Sequence, residues 1–157
     1  MSRDFRFKRF NVAQPRSAMK VGTDGVLIGA WADVEGDSRI LDLGTGSGLI
    51  ALMLAQRNSE AEILALDIDE QATIQAQHNF AMSPWSKRLS VVNVNVCDYV
   101  SERKFSHIVT NPPYFVDSLH SPDAARTAAR HTSSLDFEQI IFVFVHSCVD
   151  LLLLLLD

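Results

Sequence analysis

Seven residues, Asp42-Leu43-Gly44-Thr45-Gly46-Ser47-Gly48, stand between the short apolar run Arg39-Ile40-Leu41 and the apolar stretch 49–55. An extended apolar run, a glycine-rich turn and a helix start in that order form a βα unit whose turn can hold a ligand. Glycine at every second position lets the backbone adopt positive φ and lets a ligand come where a Cβ would collide. A helix starting near Ser47 points its unpaired N–H groups into the same space. The same glycines could serve only to pack helix on strand, but strand and helix on both sides favour a nucleotide-type ligand. The spacing G-x-G-x-G differs from the dinucleotide pattern G-x-G-x-x-G, which points to another adenosine-containing cofactor.

Downstream residues extend the pattern. Residues 49–57 read as a helix apolar on most faces, as in one pressed against a sheet. A second strand, 63–66, ends in Asp67-Ile68-Asp69, and Asp69 caps a helix over 70–81 in which Ala72, Ala76 and Phe80 recur every four residues. Residues 89–96 alternate like a third strand and 105–110 form a fourth, ending in Asn111-Pro112-Pro113-Tyr114. Alternating strands and helices predict an α/β fold with a parallel sheet, and ligands in such sheets lie at the carboxyl ends of the strands. Ahead of the first strand, residues 21–32 predict a short buried helix with Thr23 and Asp24 as N-cap candidates, its small residues Gly25, Gly29, Ala30 and Ala32 allowing close approach to another backbone. The stretch 115–132 reads as a loop over the site.

The strand ends carry the chemistry. Asp42, Gly44, Gly46 and Gly48 belong to the first turn, and Asp67 is placed to accept from vicinal ribose hydroxyls. Ile68 offers an apolar face to an adenine ring. Asp98 can accept from the adenine amino group or serve as a plain turn residue. In Asn111-Pro112-Pro113-Tyr114 the prolines stiffen the chain and remove donors, so the Asn111 side chain and the Pro112 carbonyl can aim acceptors at one planar amino group. Tyr114 supplies a face for stacking a base, although a rigid turn with a core tyrosine is the plainer alternative.

Composition limits the rest. A chain of 157 residues, 47% apolar and 21% charged, is one domain's worth, expected to span 1–157. A net charge of -5 argues against coating nucleic acid by charge alone, yet Arg3, Arg6, Lys8, Arg9, Arg16 and Lys20 make the first twenty residues a basic arm, read equally as a phosphate contact or a solvated terminus. The same early charges break any signal peptide, so a cytoplasmic location is expected. Cys97 and Cys148 lack metal-ligand spacing and need not pair, so no metal is expected. Residues 140–157 end in six leucines and Asp157; Ile140 to Leu156 is barely long enough to cross a bilayer and is interrupted by His146, Ser147 and Asp150, so no membrane span is expected and the terminus reads as truncated or altered.

Together the 42–48 turn, Asp67 and the 111–114 turn resemble class I S-adenosylmethionine-dependent methyltransferases that act on amino nitrogens. Residues 18–27 and Ala129-Arg130-His131 are similar to the bacterial tRNA valine adenine-N6 methyltransferase family, with the likeness running from about residue 5 to about residue 139. The resemblance implies a Rossmann-like sheet, here stopping after strand four and its following helix. It implies S-adenosylmethionine as cofactor, with Lys20 and Thr23 joining Asp42, Gly44, Gly46, Gly48, Asp67, Ile68 and Asp98 in holding it. Asn111, Pro112 and Tyr114 become the catalytic set, and a tRNA adenosine beside the anticodon the substrate of a monomeric enzyme. Methylation of a protein glutamine, or an RNA-binding relic without catalysis, are the competing expectations.

Overall fold

A computed structural model describes residues 4–15, 20–112, 141 and 143. Its centre is a four-stranded parallel sheet made of β3 (Arg39–Leu43), β4 (Glu62–Asp67), β5 (Leu89–Asn93) and β6 (His107–Thr110), ordered β5-β4-β3-β6. Ile40 stands opposite both Ile63 of β4 and His107 of β6, so β3 lies in the middle and the strand order reverses beside it. That reversal is the topological switch point, where open α/β sheets bind ligands. The fold is Rossmann-like, as the alternation of strands and helices predicts.

Period-two alternation sorts the strand residues between two apolar layers. Ile40, Ile63, Ala65 and Val109 join the layer that includes the helices, while Leu41, Leu43, Leu66 and Ile108 join a second layer with Val96, Phe105 and Val143. Helix α2 (Leu49–Arg57) buries Leu49, Ile50, Ala51, Leu52, Leu54 and Ala55. It is apolar nearly all round because it is covered twice, by the sheet and by α1 (Thr23–Trp31). Glycines make the second covering possible. A Cβ on Gly25 would stand 3.2 Å from Leu49 Cδ2, and one on Gly29 only 2.7 Å from Met53 Sδ. Of the other small residues, Ala32 is buried and Ala30 is exposed.

Helix α3 (Glu70–Ala81) has the predicted bounds, and Asp69 caps it by accepting from Gln71 N. Helix α1 departs from expectation at its start: Gly22, in extended conformation, is the N-cap, and Thr23 and Asp24 lie in the first turn. Strand β5 is shorter than predicted because the chain turns after Asn93, whose Nδ2 donates to the carbonyls of Asp67 and Ile68 at 3.0 Å. The last predicted strand begins two residues late, at His107.

A larger difference lies at the N-terminus. Within the basic arm, β1 (Phe5–Arg6) and β2 (Asn11–Val12) form an antiparallel hairpin that the sequence reading did not include. Phe7 and Phe10 stack with centroids 4.5 Å apart, and Phe10 meets Trp85 edge-on at 5.6 Å. Asn79 of α3, 2% exposed, then takes over. Its Oδ1 accepts from Ala13 N at 3.0 Å, while its Nδ2 donates to Ala13 O at 2.9 Å and to Ser47 O at 2.8 Å.

Tyr114, the expected loop 115–132 and the leucine run lie outside the described residues, as does the helix expected after strand four apart from the helical Ile141 and Val143. Among the described residues no helix is long and apolar enough to cross a membrane, and no cluster of His, Cys, Asp or Glu could hold a metal ion.

Candidate cofactor and acceptor site

The glycine turn leaves β3 and is fastened at once to its neighbour: Gly44 N and Thr45 N both donate to Leu66 O, at 2.9 and 3.1 Å. All three glycines have positive φ, 67° at Gly44, 57° at Gly46 and 81° at Gly48. Their surroundings differ. A Cβ on Gly48 would come within 2.5 Å of Phe80 Cε1, so this glycine admits the ring of α3. Among the described residues, a Cβ on Gly46 would meet nothing within 4 Å. Gly46 is therefore the position where the turn faces open space, and Gly48 is the one where glycine serves packing.

Asp67 closes the other wall. Its Oδ2 accepts from Gly46 N at 2.8 Å and its Oδ1 from Asp69 N at 2.9 Å. Burial raises its pKa above the usual carboxylate value, with the amides of Asp69 and Gly46 opposing the rise. A carboxylate offers about four lone-pair sites. Two N–H bonds therefore leave acceptor capacity on each oxygen for a pair of hydroxyls. Ile68 follows at 46% exposure, an uncovered apolar face beside that carboxylate. Asp98 is exposed and ends the 3-10 turn Val96–Asp98, which Asn95 caps by accepting from Cys97 N.

Asp42 behaves otherwise. Strand alternation turns it toward the layer that contains Ile40 and Ala65, and it is 1% exposed. Thr45 Oγ1 donates to its Oδ2 at 2.7 Å, whereas its Oδ1 has no hydrogen-bond partner within 3.5 Å among the described residues. Burial pushes its pKa up to about 7, the Thr45 bond working in the opposite direction. Asp42 thus braces the turn from beneath. A folded-state pKa above the unfolded value of 3.8 means that the folded chain holds a proton the unfolded chain has released. This group's contribution to stability is complete below about pH 4, declines as pH rises through about 7, and is on the order of 4 kcal/mol at most. Asp42→Asn should therefore flatten the fall in unfolding free energy between pH 5 and 8. Urea titrations at both pH values measure this, and an unchanged slope in the variant would refute the assignment.

On the far side of the switch point Thr110 Oγ1 donates to Leu43 O at 3.0 Å, locking the end of β6 to the end of β3. Asn111 comes immediately after, partly buried, and then the buried Pro112. Asn111 Nδ2 lies 3.8 Å from where a Cβ on Gly25 would stand, so the first turn of α1 borders it. Thr23 opens that turn and is exposed. Lys20 precedes it, its Nζ donating to Gln14 O at 2.7 Å, while Gln14 Oε1 accepts from Val21 N at 2.8 Å. The sheet register thus sets Gly46 and Asp67 on one side of the end of β3, and Asn111 and Pro112 on the other.

Sequence reasoning missed Asn79. Its trace was a polar residue inside the apolar stripe of α3, one position before Phe80.

Curated relatives are similar over most of the chain. A tRNA1(Val) (adenine(37)-N6)-methyltransferase of Bacteroides thetaiotaomicron is 57% identical over 138 residues, and one of Erwinia tasmaniensis is 51% identical over 140. Each alignment covers 87% of this chain but only 58% and 57% of the relative, so the chain spans little more than half their length. Among solved structures, YjhP from E. coli superposes on 82% of this chain and 45% of its own with a TM-score of 0.57 at 19% identity, a likeness of fold. The family model of the methyltransferase small domain matches residues 22–134, from the start of α1 past both the glycine turn and the Asn111-Pro112 turn, and the chain belongs to that family.

Proposed function

We propose that this chain carries the cofactor- and acceptor-binding part of an S-adenosylmethionine-dependent methyltransferase that modifies N6 of an adenosine in tRNA, beside the anticodon of a valine tRNA. The observation that carries the reading is the pairing, across the end of β3, of the open Gly46 turn and Asp67 with the Asn111-Pro112 turn. The relatives' names supply the substrate.

The residues fit the cofactor on their own chemistry. Gly46 leaves room for close approach, the start of α2 presents N–H groups, and Asp67 retains acceptor sites for two ribose hydroxyls beside the apolar face of Ile68. Gly44 and Gly48 hold the turn, Asp42 braces it, and Lys20, Thr23 and Asp98 stand at its margins. When bound, the cofactor supplies a methyl group on a sulfonium, an electrophile that needs no metal.

Asn111 Oδ1 and the Pro112 carbonyl accept from the two hydrogens of the adenine amino group. Accepting both keeps electron density on the nitrogen and fixes the direction of its lone pair. Orientation is the main contribution, since holding two reactants in line replaces a bimolecular encounter. No strong base is required, because the proton leaves only after the nitrogen has become cationic. Tyr114 would stack the unpaired base, which an anticodon loop already presents single-stranded.

Transfer of labelled methyl to a valine tRNA transcript, compared with the same transcript lacking the adenine and with a glutamine-containing protein substrate, tests the reading. Incorporation that does not depend on the adenine would overturn it. Asp67→Ala should weaken binding of S-adenosylhomocysteine by roughly 1.5–3 kcal/mol for each charge-assisted ribose bond removed. Calorimetric titration measures this, and unchanged affinity would move the ribose contact elsewhere.

A further inference from the structure

We infer that the N-terminal hairpin, residues 5–12, is a docking surface for the phosphate backbone of RNA, carried by Arg6, Lys8 and Arg9 and held in fixed relation to the glycine turn; the inference rests on the proposed RNA substrate. The chain is acidic as a whole, with a net charge of -5, yet the described stretch 4–12 carries three cations against the single carboxylate of Asp4. All three cations are exposed. Charge segregated in this way on an acidic body attracts a polyanion locally, where the molecule as a whole would repel it.

Rigidity separates this surface from a solvated tail. Phe7 N donates to Phe10 O at 2.9 Å across the turn that carries Lys8 and Arg9. Phe5, Phe7 and Phe10 form a continuous aromatic row, with centroids 4.9 and 4.5 Å apart, that ends against Trp85. The hairpin's cations are therefore presented from a fixed ribbon, with less chain entropy lost on binding than in a free arm. Phe5 remains 43% exposed, an aromatic surface on the same ribbon on which an unpaired base can stack.

The hairpin also has a defined link to the chemistry. It leads directly into Ala13, whose N–H and C=O are both bound by Asn79, and the same side chain holds Ser47 O in the glycine turn. One buried amide therefore joins the exit of the basic hairpin to the cofactor turn. A backbone seated on Arg6, Lys8 and Arg9 is indexed to the site without any base being read, the division of labour usual for phosphate contacts.

The test is the salt dependence of binding of an unmodified valine tRNA transcript to the chain and to the triple variant Arg6→Gln, Lys8→Gln, Arg9→Gln. Three lost contacts to single-stranded RNA should reduce the slope of log K against log salt by about 2. Affinity for S-adenosylhomocysteine should stay unchanged, showing that the variant is folded. A control with Arg103→Gln and Lys104→Gln, at the opposite end of the strands, should keep the parent slope. An unaltered slope in the triple variant, an equal loss in the control, or no RNA binding by the parent chain would overturn the proposal. Adenine methylation with a slope that ignores the hairpin would sink this surface alone; a hairpin-dependent slope without adenine methylation would sink the substrate reading alone.

Discussion

Gly48→Val is expected to lower the unfolding free energy by about 2–5 kcal/mol, and Gly46→Val to leave the protein folded but unable to bind S-adenosylhomocysteine. The two glycines lie two residues apart with φ of 81° and 57°, so backbone strain of about 1–2 kcal/mol applies to both. The outcomes diverge because each Cβ meets different surroundings. At position 48 it would press to 2.5 Å from Phe80 and 3.4 Å from Ala76, both buried on α3. Overpacking of that kind adds about 1–3 kcal/mol, and the total rivals a large share of the marginal stability of a small domain. At position 46 the new side chain meets no described residue within 4 Å and would enter the space proposed for the cofactor. Urea unfolding and calorimetric titration on both variants separate the effects. A Gly46→Val protein that binds normally would remove the turn from the cofactor site.

Asn111→Ala should leave S-adenosylhomocysteine affinity within about twofold and lower the methylation rate by roughly 10²–10³-fold, the range for losing one oriented group aimed at developing charge. Binding and chemistry should separate because Asn111 follows β6, whereas the residues proposed for the cofactor lie at the ends of β3 and β4. Asn111→Asp retains an acceptor oxygen and should recover part of the rate. Single-turnover kinetics on tRNA measure both variants, and full turnover by Asn111→Ala would exclude the proposed role of the turn.

Much of this arrangement was legible in the sequence wherever local chemistry decides local structure. The glycine turn located α2 to within two residues, and the cap at Asp69 with the four-residue recurrence of Ala72, Ala76 and Phe80 located α3 to the residue. The hairpin was not legible, because paired strands of two residues have no periodicity to detect and depend on distant partners, Trp85 and Asn79. The cap of α1 was misread for a related reason. Thr23 and Asp24 have the better capping propensity, but close packing of Gly25 and Gly29 on α2 fixes where the helix lies. Of the candidate site, Gly46, Asp67 and Asn111 could be proposed from the sequence because their chemistry is visible in the residue type. The division between Gly46 and Gly48, and the burial of Asp42 beneath the turn, depend on which face of the sheet α2 and α3 cover, and residue order alone does not contain that information.

The strand order β5-β4-β3-β6 also imposes a timetable on a chain made from its N-terminus. Ile40 finds Ile63 soon after it is made, and Ile63 then finds Leu89, but the place beside β3 on the other side waits for His107. The bond from Thr110 to Leu43 closes a separation of 67 residues, which on loop-closure grounds costs about 1 kcal/mol more than the β3–β4 closure. The half of the candidate site that holds Gly46 and Asp67 can thus assemble while β6 is still being synthesised, and until β6 arrives the exposed edge of β3 is open to any other strand that reaches it first.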